Sequence, residues 1–181
     1  MKTTIPNYIS LFLVVLLTAW GTRAQEANFS CQNLVYGHLG QLLGEWSVQT
    51  KDRTSPGNYE TNQGKSKITD LISGCGIKES FRGTYRGKDY AREVLIIGKD
   101  STGVQMSILD SEHNSFSILD GEISDGKVVV YWYRNKEVKR LQSRYLLTVQ
   151  SAKRFEFSSY LSTDYGENWA LTHERIYTRI E

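Results

Sequence analysis

The sequence predicts an all-β protein, an antiparallel up-and-down β-barrel of about ten strands with a short N-terminal helix. Runs of β-forming residues follow one another with short connections and without a helical pattern between them. Ser124-Asp125-Gly126 carries the Asp-Gly signal of a tight hairpin between two of these runs. An open sheet of this many strands would expose two edges and a large face, which favours closure into a barrel. A two-sheet β-sandwich is the alternative.

The first predicted element is an amphipathic helix over residues 33–43 that covers an apolar surface. Its apolar positions recur at helical spacing and are Val35, Leu39, Leu42 and Leu43. Trp46, Val48 and Thr50 then alternate, and this change to a period of two predicts the first strand. The glycine-rich residues 83–88 are predicted to be a loop. The later strands are predicted at 64–72, 77–84, 92–98, 104–110, 116–123, 127–134, 139–150, 154–162 and 170–180.

The sharpest local pattern is S-x-D-x-G-x-x-W, formed by Ser162, Asp164, Gly166 and Trp169. It resembles the Asp-box, a β-hairpin motif found on several unrelated β folds. Asp164 can accept hydrogen bonds from turn amides, and Gly166 can adopt positive φ. A single carboxylate on a turn lacks the partners that an acid catalyst or a metal ligand needs. The motif therefore predicts a structural turn between the last two strands.

Residues 1–24 have the pattern of a secretory signal peptide. Lys2 precedes an apolar segment at residues 11–17, and Thr22-Arg23-Ala24 ends with the small residues that a signal peptidase requires. The apolar segment is shorter than the roughly 20 residues of a membrane-spanning helix. We expect cleavage after Ala24, a secreted or periplasmic protein without a membrane span, an N-terminal extension over residues 25–32 and one barrel domain over residues 33–181.

The charge balance argues against a nucleic-acid partner. Without Lys2 and Arg23, the basic residues fall from 22 to 20 and equal the 20 acidic residues. Cys31 and Cys75 either form a disulfide or remain two separately buried thiols, since sequence spacing alone does not give their separation. The histidines are far apart in sequence and the cysteines are few, so no zinc-ligand spacing exists and we expect neither a metal nor a cofactor.

Several short motifs together resemble one protein family. They are Leu43-Gly-Glu-Trp46, Gly64, Leu71-x-x-Gly-Cys-x-Ile-x-Glu79, Gly83, Asp164-x-Gly-x-x-Trp169 and Tyr177-x-Arg179. The chain resembles, over nearly all of residues 33–181, a bacterial family of unknown function whose single domain is a lipocalin-like, calycin-type β-barrel. The resemblance implies this fold and secretion, and it implies no reaction. Residues 104–110 lack the tryptophan-rich strand that this family often carries, so its ligand preference need not carry over.

Two kinds of candidate site follow from the residues. Glu45 and Glu79 could act as paired carboxylates of a hydrolase if their strands are neighbours. A barrel of this size otherwise fills with side chains or holds one small ligand. His173, Arg175 and Tyr177 share one strand face, but alternation does not tell which face is inside. The candidate ligand-binding residues are Trp46, Glu79, Tyr131, Tyr133, Arg144, His173, Arg175 and Tyr177.

The leading functional hypothesis is an extracytoplasmic, non-catalytic barrel that binds a small, largely apolar molecule. The alternatives are a hydrolase that uses Glu45 and Glu79, and an interaction or structural domain whose barrel is filled with side chains.

Overall fold

The computed structural model describes residues 31–100, 102–112, 116–135 and 140–181, and the side chains of all of these except residues 31–34 and 133–142. The predicted signal peptide over residues 1–24 and most of the predicted extension over residues 25–32 lie outside the described residues. No helix in the described part of the chain combines the length and the apolar character needed to cross a membrane.

Within these ranges, ten strands form one closed antiparallel barrel, which confirms the predicted fold class over the β-sandwich. Each strand pairs with its neighbours in sequence, and β1 pairs with β10 to close the sheet. Helix α1 spans Cys31–Leu39 and continues into a 3-10 turn over Gly40–Leu42. The strands are β1 Gly44–Ser55, β2 Asn58–Leu71, β3 Gly76–Tyr85, β4 Lys88–Gly98, β5 Gly103–Asp110, β6 Phe116–Ser124, β7 Lys127–Asn135, β8 Arg140–Ser151, β9 Arg154–Leu161 and β10 Ala170–Arg179.

Two strands begin earlier than their apolar pattern predicts. β2 begins at Asn58 rather than at residue 64, and β4 begins at Lys88 rather than at residue 92. The additional residues are mostly polar and are exposed or partly buried, because they extend the hairpins beyond the apolar interior. Apolar alternation therefore marks only the part of each strand that lines the core.

The two turns with the strongest sequence signals have different outcomes. The Asp125-Gly126 hairpin is confirmed, since these residues have φ of 49° and 70°, as a tight turn with two positive φ values requires. The loop predicted at residues 83–88 is wrong. Arg86 and Gly87, with φ of 50° and 71°, form a two-residue turn, and the flanking residues belong to β3 and β4.

Helix α1 and the 3-10 turn cover the barrel end at which β1 begins and β10 ends. The predicted apolar stripe faces the barrel, since Val35, Leu39 and Leu42 are fully buried and Leu43 packs against the core. Beneath them, the indole N–H of Trp46 donates to the carbonyl oxygen of Leu42 at 2.8 Å. This end of the barrel is therefore closed.

Arg179 fastens the 3-10 turn to the barrel. Its guanidinium donates to the carbonyl oxygens of Gln41 and, at 2.9 Å, of Leu43, and it lies 4.4 Å from the centroid of the Trp46 ring. Gly44 has φ of 129°, and a Cβ at this position would lie 2.7 Å from Nη1 of Arg179. These contacts give the Leu-Gly-Glu-Trp motif and Arg179 a structural role.

A disulfide lies at the same end. Cys75, in the turn between β2 and β3, is disulfide-bonded, and no described cysteine is free. The sequence contains one other cysteine, Cys31, at which helix α1 begins.

Apolar side chains fill the half of the interior next to the helix. The Phe155 ring packs edge-on against Trp46 with centroids 4.8 Å apart and stacks on Tyr177 at 3.9 Å. A void of about 20 Å³ remains near Ile68 and Val94. The strand residues of this core are Trp46, Val48, Ile68, Ile77, Phe81, Val94, Ile96, Val104, Met106, Leu119, Ile123, Val128, Val130, Leu147, Phe155, Phe157 and Tyr177.

Candidate functional site

A cavity of about 270 Å³ opens at the barrel end opposite the helix. Aromatic rings form much of its wall. The rings of Tyr85 and Tyr90 lie 5.5 Å apart, and those of Tyr145 and Phe157 lie 6.2 Å apart. Both phenols are protonated at neutral pH and can donate hydrogen bonds, and burial raises the pKa of Tyr90 and of Tyr145 further above neutrality. The wall therefore offers flat apolar surfaces that carry polar hydroxyl groups.

The floor of the cavity is formed by Arg92, which belongs to a buried network. Its guanidinium donates to Oε2 of Glu79 at 2.8 Å and to the hydroxyl oxygen of Tyr177 at 2.9 Å. Oε1 of Glu79 accepts hydrogen bonds from Tyr177 at 2.6 Å and from Ser66 at 3.0 Å. Burial alone would lower the pKa of Arg92, but the Glu79 carboxylate raises it above its ordinary value. Arg92 therefore has a close, hydrogen-bonded partner in Glu79.

A second buried arginine, Arg175, lines the β10 side of the cavity and is paired less closely. Its guanidinium lies 4.0 Å from the carboxylate of Asp52, which also accepts from Thr50 at 3.0 Å and lies 2.9 Å from Nδ1 of His173. Burial opposes ionisation of Asp52, but the hydrogen bond with His173 and the charge of Arg175 hold its pKa below the ordinary value. Burial and the charge of Arg92 lower the pKa of Arg175.

Asp110 and Glu112 place negative charge on another side of the cavity, at the end of β5. The Glu112 carboxylate lies 3.8 Å from the guanidinium of Arg86, on the neighbouring turn. Asp110 accepts a hydrogen bond from the Glu112 amide at 3.0 Å. The cavity therefore carries both signs of charge at separate positions.

The candidate ligand-binding residues occupy three different places. His173 and Arg175 lie on the cavity wall. Glu79 and Tyr177 lie deeper, in the network below the cavity, where they line the small void of the core. Trp46 is fully buried at the closed end, far from the opening, because it is the first inward residue of β1.

Two other candidates lie on the outer face of the barrel. The guanidinium of Arg144 lies 4.9 Å from the ring centroid of Tyr160 and 4.7 Å from that of Trp169. Tyr131 borders a depression of the outer surface. These residues alternate with inward-facing neighbours, so they cannot reach the cavity. The side chain of Tyr133 lies outside the described residues.

The predicted carboxylate pair is not formed. Glu45 projects outward from β1, its side chain is 64% exposed, and its carboxylate lies 3.9 Å from Lys67. Glu79 projects inward from β3 into the buried network. Because the barrel wall separates the two carboxylates, they cannot act on the same substrate.

The S-x-D-x-G-x-x-W segment connects β9 and β10 as a hydrogen-bonded turn. The Asp164 carboxylate accepts from the amide of Asn168 at 2.9 Å, from its side chain at 2.7 Å and from the Ser162 hydroxyl at 2.8 Å. Gly166 has φ of 90°, and its amide donates to Ser162 at 2.7 Å. Trp169 is half-buried on the outer surface. These bonds give the segment a structural role.

Sequence reasoning missed most of the cavity residues. Arg92 and Asp52 carry a usable signal, because each continues the inward alternation of a strand whose other inward residues are largely apolar. Tyr85 and Tyr90 are in phase with the inward residues of β3 and β4, but they flank a turn and lie outside the strands predicted at 77–84 and 92–98. In the part of the chain that the structure describes, no cluster of three or more His, Cys, Asp and Glu could hold a metal ion.

Neither a protein-family model nor a curated protein matches the sequence. Among solved structures, the chain is similar to an S-type phycobiliprotein lyase from Guillardia theta, with a TM-score of 0.54 and 10% identity over 82% of this chain and 93% of the lyase. A redesigned β-barrel has a TM-score of 0.46 and 15% identity over 80% of this chain and 96% of its own. The likeness to the lyase shows the fold, a lipocalin-like barrel. Membership of the bacterial family stays a prediction.

Proposed function

We propose that this chain is an extracytoplasmic, non-catalytic protein that binds one small molecule in the cavity at the open end of the barrel. The cavity itself carries the proposal, since about 270 Å³ stays open while the rest of the interior is packed with side chains. Sites for small molecules are typically concave, with aromatic walls and a few polar groups. The lipocalin-like fold is compatible with this function.

The residues that line the cavity restrict the chemical class of the ligand more than the sequence alone does. The apolar half of the interior keeps a void of only about 20 Å³ near Phe155. This void is too small to hold an apolar ligand. The open cavity combines tyrosine rings with Arg92, His173 and Arg175. The ligand is therefore a molecule with a flat apolar body and at least one polar group, rather than a largely apolar one.

The disulfide supports the extracytoplasmic location. Disulfides form and persist in secretory and periplasmic compartments, where the signal peptide predicted at residues 1–24 would deliver the chain. Cys75 is disulfide-bonded at the closed end, away from the cavity.

A blocking variant tests the site. Ser117 lines the cavity on β6, and Ser117→Phe should fill part of it. Ser107, on the adjacent strand β5, is out of phase with the inward residues Val104 and Met106, so Ser107→Phe adds the same ring outside the barrel. With the uncharged fluorescent probe phenylnaphthylamine, we expect wild type and S107F to bind equally and S117F to bind at least about tenfold more weakly.

Thermal melts of the three proteins show whether each is folded. Equal probe binding by folded wild type and folded S117F would contradict the proposed site. Absence of probe binding by all three would favour the interaction domain with a filled barrel.

A further inference from the structure

We infer that the molecule held in this cavity is an organic carboxylate whose anionic group pairs with the guanidinium of Arg175; the inference rests on the binding function proposed above. Arg175 is 5% exposed, and its Nε has no hydrogen-bond partner. Its ion pair with Asp52 is long, at 4.0 Å. A buried charge is stable only when it is closely paired and hydrogen-bonded, so this arginine has unused capacity for an anion.

The Nε of Arg92 also lacks a hydrogen-bond partner, so the two arginines of the cavity differ only in how closely each is paired with a carboxylate. Arg92 donates to Glu79 at 2.8 Å and to Tyr177 at 2.9 Å. Among the described residues, Glu79 forms no ion pair with a second arginine. The counter-ion of Arg175, by contrast, is shared with His173, whose Nδ1 lies closer to Asp52 than the guanidinium does. An added anion would therefore compensate Arg175 rather than Arg92.

The position of the negative groups supports one orientation of the ligand. β10, which carries Arg175, and β5, which ends at Asp110, lie opposite each other in the closed ring of ten strands. An anionic group is attracted to the β10 side and repelled from the β5 side. The rings of Tyr90 and Tyr145 line the space between them. A planar guanidinium presents two parallel N–H donors, a geometry that suits a carboxylate.

A matched pair of compounds tests the inference. Naphthoate and naphthylmethanol share a ring system and differ in having a carboxylate or a hydroxyl group. By isothermal titration calorimetry, we expect wild type to bind naphthoate roughly 10- to 100-fold more tightly than naphthylmethanol, as one charged hydrogen-bonded contact provides. Arg175→Met should lose this preference while it retains the binding of naphthylmethanol. Arg144→Met, which removes an arginine from the outer face, should keep the preference.

The outcomes separate the two proposals. If wild type binds both compounds equally and S117F binds neither, the cavity is the site and the carboxylate inference fails. If wild type binds neither compound, the carboxylate inference fails, and the phenylnaphthylamine experiment alone decides whether the cavity is a binding site. If R175M does not fold, Arg175→Lys is the second variant, because lysine keeps the charge but lacks the planar donors. We expect R175K to have a weaker preference for naphthoate than wild type. An undiminished preference in R175K would contradict the pairing with the guanidinium.

Discussion

The carboxylate of Asp164 is held in its ionised form by the turn that it organises. The amide and side chain of Asn168 and the hydroxyl of Ser162 donate to it, and they lower its pKa from 3.8 to about 2. When the folded-state pKa lies below the unfolded-state value, ionisation stabilises the folded protein at higher pH. This stabilisation is fully present above the unfolded pKa and is lost as the pH falls from 3.8 towards about 2.

Asp164→Asn should therefore lower the free energy of unfolding at neutral pH, and the difference from wild type should shrink as the pH falls through this window. Urea unfolding at a series of pH values measures the difference. Asp70→Asn, at an exposed position of β2, is the control and should leave the wild-type profile unchanged. A difference between D164N and wild type that does not depend on pH would show that the charge of Asp164 is not what stabilises the turn.

Strands that are not neighbours in the sheet are joined across the interior by Glu79. It extends from β3 and accepts hydrogen bonds from Tyr177 on β10, while β1 and β2 lie between these two strands. It also pairs with Arg92 on β4. Glu79→Gln would leave the buried charge of Arg92 without its counter-ion, so we expect a loss of roughly 3–5 kcal/mol in the free energy of unfolding.

Glu45→Gln is the matched control for this variant. Glu45 is exposed on the outer face and lies 3.9 Å from Lys67, a distance and exposure at which an ion pair contributes little. We expect its effect to stay within about 0.5 kcal/mol in urea unfolding at neutral pH. A similarly small effect of E79Q would mean that Arg92 and its neighbours rearrange without a loss in the free energy of unfolding.

Sequence patterns distinguish the two faces of some strands but not of others. In β1, Trp46, Val48 and Thr50 alternate with polar residues, and this pattern predicts the strand, whose inward residues they are in the structure. In β8, Leu146 and Leu147 are adjacent apolar residues, so neither face is distinguished by composition. The sequence therefore does not tell whether Arg144 points inward, and the structure places it on the outer face.

The cavity could not be predicted because it depends on how the whole sheet closes. Asp52 and His173 are far apart in sequence and become opposite partners only in the pairing of β1 with β10. The number of strands and their order follow from local patterns and short connections. The register at which the first strand meets the last has no local signal, and it decides which polar side chains share the open end.

The disulfide at the closed end affects the whole molecule, because a cross-link restricts the unfolded chain. Cys75→Ser should lower the free energy of unfolding by roughly 2–4 kcal/mol in urea titrations. A reducing agent should bring wild type to the stability of C75S and leave C75S itself unchanged. An equal effect of the reducing agent on both proteins would contradict a stabilising role of the disulfide of Cys75.

An even number of alternating strands returns the chain to the side of the barrel where it started. β1 begins and β10 ends beside helix α1, as the pairing of Trp46 with Arg179 shows, while the cavity opens on the far side. A linker or affinity tag placed after Glu181 would therefore emerge behind the barrel. Protein immobilised through such a tag would present its opening to the solution, an orientation suited to measuring ligand capture on a surface.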